Sequence, residues 1–206
     1  MDERLERFYR RLAAPLFFRS RIVLGLLVIP LGLSFTAPLW TMDMEAPQYP
    51  DGLQLRIFAY SVEGDVREIN TLNHYIGMDS LDRAALADLD WIPFALGALI
   101  LFTLRVAAIG DRRSLIDLVV LFVYFSAFSM ARFVYKLYVY GHNLDPRAPF
   151  TVEPFTPAVF GTKQIANFSV TSLPAGASFA IGVFGLGLVA VMIWNLLPSS
   201  HETAES

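Results

Sequence analysis

The sequence predicts a membrane all-α protein: four transmembrane helices with small mixed α/β loops on the outer side. Three observations predict it. Hydrophobic residues make up 55% of the 206 residues and charged residues only 17%, against about 25% charged in an ordinary soluble domain. Four apolar stretches each come close to the roughly 20 residues needed to cross about 30 Å of hydrocarbon. The connections between them alternate between arginine-rich and arginine-poor, which is the pattern a fixed orientation leaves in a multi-span chain.

The same composition excludes several classes. The mean hydropathy is +0.49, too apolar for a disordered chain, which needs low hydrophobicity and high charge. The net charge of −3 argues against nucleic acid as a partner. With no cysteine, the chain has no disulfide, thiolate zinc site, iron–sulfur cluster or covalently attached haem.

In chain order, residues 1–21 read as a cytoplasmic amphipathic segment. Leu5, Phe8, Tyr9, Leu12 and Leu16 recur at helical spacing between arginines, so a helix over Asp2–Phe18 suits an anionic lipid surface. A plain positively charged anchor is the simpler alternative. The transmembrane domain follows over 22–197. Its first span is Ile22 to Trp40, without a charge. That run exceeds the roughly 7–15 residues of a signal-peptide core, so it reads as a retained span. The second span runs from Trp91 to about Ile109, the third from about Leu115 to Val134, and the fourth from about Phe179 to Leu197. Residues 198–206 form a short polar cytoplasmic tail. Arg105, Arg112 and Arg113 flank the turn between spans two and three, whereas the loop 41–90 has three arginines against ten acids. Both termini are therefore expected in the cytoplasm, with loops 41–90 and 140–177 outside. Asp117, one turn into span three and close to its cytoplasmic end, is expected to reach water or to pair with Arg113. Gly182, Gly185 and Gly187 permit a close helix approach, within the bundle or with a partner.

Loop 41–90 contains the turn Pro50-Asp51-Gly52. Leu53–Val62 then alternates as a strand does. Ile69, Leu72, Asn73 and Ile76 recur at helical spacing up to Gly77, a residue suited to a left-handed cap. A second short helix is expected over Leu81–Leu89. Loop 140–177 is rich in proline, which predicts extended irregular chain, with a short strand or turn over Gln164–Val170.

The chemistry with most promise is soft. His74 and Met78 stand four apart, so a helix puts them on one face. Met42 and Met44 stand two apart, so extended chain puts them on one side. His142 opens the second loop. Imidazole with thioether suits copper, Cu(I) above all. Each of these residues equally suits ordinary packing. Haem on His74 and His142 is less favoured, because no histidine lies within a span. Arg132 and Lys136 are expected to snorkel among Tyr135, Tyr138 and Tyr140. No phosphate-binding glycine loop, nucleophile elbow or His-Glu-x-x-His is present, so no enzymatic activity is expected.

Two boxes, Ala46-Pro-Gln-Tyr-Pro-Asp-Gly-Leu53 with Glu63–Met78 and Pro154-Phe-Thr-Pro157 with Gly161–Phe168, resemble a family of bacterial four-span inner-membrane proteins. That family is associated with accessory functions for respiratory copper enzymes, notably nitrous oxide reductase maturation. The resemblance implies copper handling on the periplasmic face, with His74 and Met78 inside a box and Met44 ahead of one. The expected function is accordingly an inner-membrane accessory protein that binds copper transiently and serves a membrane or periplasmic cuproenzyme. A structural subunit or assembly factor without bound metal is the alternative, and a small permease is disfavoured by the lack of charge at mid-membrane.

Overall fold

The computed structural model describes residues 5–6, 9, 12–81, 90–165 and 168–196. Its elements are α1 (Phe18–Leu33), β1 (Trp40–Ala46), β2 (Tyr49–Ile57), β3 (Val62–Gly64), α2 (Val66–Ile76), α3 (Trp91–Ile109), α4 (Arg112–His142), β4 (Gly161–Ile165), β5 (Phe168–Pro174) and α5 (Gly176–Leu196). Three of the helices, α3, α4 and α5, are long and apolar enough to cross a membrane. The expected second and fourth spans coincide with α3 and α5 to within three residues.

The first span differs from expectation. Its helix has 16 residues, about 24 Å at 1.5 Å per residue, and does not reach Trp40. Thr36 ends it by turning both its backbone N–H (3.0 Å) and its hydroxyl (2.8 Å) onto the carbonyl of Leu33. Pro38 prevents any continuation, and Trp40 begins a strand instead. The third span is longer than expected: α4 has 31 residues and ends at His142, so Tyr140 to His142 belong to the helix and not to the loop. Of the expected N-terminal helix, Arg4, Arg7, Arg10 and Arg11 lie outside the described residues. Its C-terminal end is corrected, because the chain leaves the helix at Ala13 and Pro15 bridges Asp111. The helix expected over Leu81–Leu89 lies outside the described residues beyond Leu81.

The chain forms two compact units. The first comprises Met1–Gly32, Ala95–Phe125 and Ala180–Ser206. Its core is a seam of side chains at helical spacing: Leu96, Leu99, Thr103 and Val106 from α3, and Phe184, Leu188, Val191 and Asn195 from α5, all fully or almost fully buried. Phe122 meets Phe184 edge-on at 5.2 Å. The Phe122 ring fills the space a side chain would need at Gly185, and Leu27 does the same at Gly187, whereas Gly182 faces open space. Two of the three span-four glycines thus serve contacts within the unit.

One end of this unit is held by polar groups. Asn195 is fully buried. Its Oδ1 accepts from the Phe17 N–H (3.1 Å) and its Nδ2 donates to Ser20 Oγ (2.8 Å) and the Val191 carbonyl (2.8 Å). Arg21 donates to the carbonyls of Ala107 (2.8 Å) and Ala108 (2.7 Å). These are last-turn acceptors of α3 that have no partner within the helix. Asp111 caps α4 by accepting from the Ser114 N–H at 2.7 Å.

The second unit comprises Leu33–Phe94 and Ser126–Phe179. The two outer loops meet in one five-stranded antiparallel sheet of order β3-β2-β1-β5-β4. This is larger than the small loop structures expected. β2 starts earlier than the expected strand, and β1 was not anticipated as a strand of a sheet. One sheet face carries Met42, Leu53 and Leu55, which bury Ile69 of α2 among them, with Trp40, Phe133 and Leu137 packed around. Trp40 and Phe133 rings lie 5.0 Å apart. As expected, α2 ends at Gly77 in a left-handed conformation (φ 78°), which glycine adopts without steric cost. Loop 140–177 fastens at that cap: Asp145 N–H donates to Gly77 O (2.8 Å) and Phe150 N–H to Tyr75 O (3.0 Å). It fastens again at the end of α4, where Phe155 N–H donates to Gly141 O at 2.9 Å. A Cβ at Gly141 would collide with the Phe155 carbonyl.

Asn195→Ala would leave the buried Ser20 hydroxyl and the part-buried Phe17 N–H without this partner. A loss of about 1–3 kcal/mol is expected in a mixed-detergent unfolding titration. Gly141→Ala, by contrast, should leave unit-one helicity intact and loosen the proline-rich loop, read as faster proteolysis within residues 143–160.

Candidate functional site

The sheet presents one apolar and one polar face, as antiparallel sheets with one wet side do. On β1 the exposed Asp43 and Glu45 alternate with the buried Met42 and Ala46. A chain of side chains crosses the polar face. Arg56 Nε donates to Gln54 Oε1 (2.8 Å), and Gln54 Nε2 donates to Asp43 Oδ1 (2.9 Å). The hydroxyls of Thr162 and Thr171 continue it at 2.9 Å on β4 and β5. The backbone N–H of Gln54 donates to Asp65 Oδ2 at 2.7 Å, which fixes the start of α2 beside β2.

At the end of the sheet where β1 turns into β2 lies a cleft of about 700 Å³. Asp43, Met44, Glu45, Tyr49, Asp51 and Gln164 are among the residues that line it. β1 runs seven residues from Trp40 to Ala46, about 23 Å at 3.3 Å per residue, so the cleft stands at the far end of that strand from Trp40. Carboxylates beside a tyrosine and prolines can receive a cationic or donor-rich surface. No nucleophile–base pair is built there. Among the described residues no group of three His, Asp or Glu side chains is placed to hold a metal.

The structure places the expected copper donors as follows. Met42 and Met44 share one sheet face, as their spacing requires. Met42 is 4% exposed in the apolar cluster, opposite Leu55 and Ser172, and Met44 is half-buried against the same cluster and is among the residues lining the cleft. His74 is exposed in the last turn of α2, whose buried residues are Ile69 and Asn73. Met78 lies beyond the Gly77 cap, its N–H donating to Asn73 O at 2.9 Å. The helix ends before Met78, so the four-residue helical relation to His74 does not hold. His142 closes α4 with its ring stacked on Tyr138 at 3.9 Å. Its Nδ1 lies 2.9 Å from the Tyr138 carbonyl, so Nδ1 carries the proton. Only the two methionines of β1 are brought together by a common element.

Arg132 lies over the Tyr135 ring at 5.7 Å and Lys136 over the Tyr140 ring at 5.5 Å. Sequence reasoning missed the cleft, although acids on both sides of a Pro-Asp-Gly turn were a visible signal. It also missed Asn195, inside the span that looked cleanest. A lone amide in an apolar run signals a buried hydrogen-bonded partner.

The exposed Asp145 sits just past α4. Its carboxylate accepts from the Arg147 N–H (2.9 Å) and from the Arg147 guanidinium (3.2 Å). The backbone bond first and the guanidinium second hold its carboxyl below the usual carboxylate range, with a small further contribution from His74. A depressed carboxyl favours the folded clasp above its ordinary titration range. That contribution is lost as pH falls through the lowered value. In an NMR titration Asp145 should therefore titrate below an ordinary aspartate, and Arg147→Ala should move it upward.

No family model, no curated protein and no solved structure matches the chain, so the resemblance drawn from the two boxes rests on the boxes themselves.

Proposed function

We propose that this chain is a bacterial inner-membrane accessory protein without catalytic activity. It offers its outer sheet to a membrane or periplasmic protein, as a structural subunit or assembly factor of a larger complex. The observation that carries the reading is the joining of both long loops into one sheet. Its inner face is packed, and its other face bears mostly polar and charged groups, with Leu173 exposed among them, near an open cleft. Connections of forty to fifty residues that fold into a built surface serve recognition better than linkage.

The orientation follows from charge and connectivity together. The arginine-rich N-terminal segment, the α3–α4 turn and the C-terminus belong to unit one, and both acidic or proline-rich loops belong to unit two. That division supports cytoplasmic termini and a periplasmic sheet under the positive-inside rule.

Transient copper binding for maturation of a respiratory cuproenzyme is the second reading. One observation favours it: Met44, half-buried against the apolar cluster, is among the residues that line the cleft. His74, Met78 and His142 occupy other surroundings, and Met42 is sealed in the core, so this donor set is thin for Cu(I).

Affinity purification in mild detergent should recover a stoichiometric partner with wild-type protein, and Asp43→Lys with Glu45→Lys should release it while the protein remains in the membrane. Cu(I) titration of the same preparation should show no saturable site. Stoichiometric binding abolished by Met44→Ala would overturn this order of readings and restore the copper one.

A further inference from the structure

In unit one the chain that enters α1 is clasped to the turn between α3 and α4. Pro15 bridges Asp111. The Leu16 N–H donates to Gly110 O at 2.7 Å, and the Arg112 N–H donates to Ala14 O at 3.1 Å. Arg21 crosses the same turn. Its guanidinium is tied to the Ala107 and Ala108 carbonyls, and its stem lies so close to Gly110 that a Cβ there would meet Cδ at 2.9 Å.

The clasp gathers charge. Residues 12–21 and 103–117 carry Arg19, Arg21, Arg105, Arg112 and Arg113 against Asp111 and Asp117. That is a cationic surplus in a chain whose net charge is −3. Arg19, Arg105 and Arg113 are exposed. Asp111 is engaged as the cap of α4, accepting from the Ser114 N–H at 2.7 Å and from its hydroxyl at 3.0 Å. Asp117 stands exposed one turn beyond Arg113.

Apolar surface adjoins these cations. Phe18, directly before Arg19, is 73% exposed, and Phe17 and Ile109 are exposed as well. A small anion free in water would meet the guanidinium groups and leave these three side chains wet. A phospholipid uses both kinds of surface. Its phosphate oxygens match the planar donor fork of arginine, and its acyl chains cover the aromatic and aliphatic side chains alongside.

We infer that the corner formed by the start of α1 and the α3–α4 turn is a binding surface for anionic phospholipid. Arg19, Arg105 and Arg113 meet the headgroup phosphate, and the Arg21 clasp holds their segments together. The inference rests on α3 and α4 crossing a bilayer. None of its residues belongs to the outer sheet, so it stands or fails apart from the partner-binding reading.

The test reconstitutes the full chain in phosphatidylcholine vesicles with a trace of spin-labelled phosphatidylglycerol or spin-labelled phosphatidylcholine. EPR reads the fraction of each probe immobilised at the protein. Wild-type protein should immobilise the anionic probe several-fold in preference to the zwitterionic one. Arg19→Gln, Arg105→Gln and Arg113→Gln together should bring the two probes level. The phosphatidylcholine signal should stay as in wild type, which reports an intact bundle in the bilayer. Asp117→Asn should raise the preference, a gain that misfolding does not produce. Arg132→Gln with Lys136→Gln, both in unit two, should leave it unchanged. Equal immobilisation of both probes by wild-type protein would overturn the inference. So would a preference that survives the triple change, one that falls with Asp117→Asn, or one lost equally with Arg132 and Lys136.

Discussion

Everything outside the apolar helices depends on the pairing of β1 with β5. The two strands lie about 130 residues apart and match from Trp40↔Pro174 to Glu45↔Ser169. β1 follows α1 after six residues, and β5 leads into α5 after a single residue. The pairing is continued by Ala175 N–H onto Leu39 O (2.9 Å), Ala177 N–H onto Pro38 O (2.9 Å) and Ser178 Oγ onto Leu39 O (2.7 Å). Without β5, β1 and β2 would be an isolated hairpin with its small extension β3. Such ribbons are marginal in water. The pairing thus converts two loops, each too irregular to stand alone, into one sheet with an inside and an outside.

An inside needs a cover, and α4 supplies part of it. Its 31 residues span about 46 Å, well beyond what a bilayer core requires. The excess is useful: Phe133 and Leu137 pack against the Met42 cluster together with α2. The same length explains why Gly141 is glycine. The helix runs on until the proline-rich loop crosses it, and only a residue without a side chain lets the Phe155 carbonyl reach it.

What was legible in the sequence follows what is local. The spans α3 and α5 stand out because apolar runs need no partner to be recognised. α2 and its Gly77 cap stand out because helical periodicity and capping act within a few residues. β1 does not stand out: Asp43 and Glu45 mask an alternation that becomes meaningful only when β5 is laid beside it. The length of α1 was overestimated because hydropathy does not register Thr36, whose hydroxyl ends the helix. The His74–Met78 pair failed for a related reason. Gly77 reverses the backbone to the left-handed region, so Met78, one residue past the cap, no longer shares the helix face of His74.

The placement of Met42 shows how the candidate chemistry and the fold compete for the same residues. A thioether two residues from another on an extended chain is a promising ligand pair only where both sulfurs can be approached. In β1 the sheet's own core takes the first. Met42 lies between Leu55 and Ser172 at 4% exposure, where its flexible, polarizable side chain fills an irregular gap. Drawing it out to bind a metal would open the cluster that joins the sheet to α2 and to Phe133. The β1–β5 pairing therefore leaves Met44, half-buried against the edge of the same cluster, as the less enclosed sulfur of that strand. What it offers in exchange is the ordered polar face of Arg56, Gln54, Asp43 and Thr171, a surface fixed by hydrogen bonds and free of any core duty.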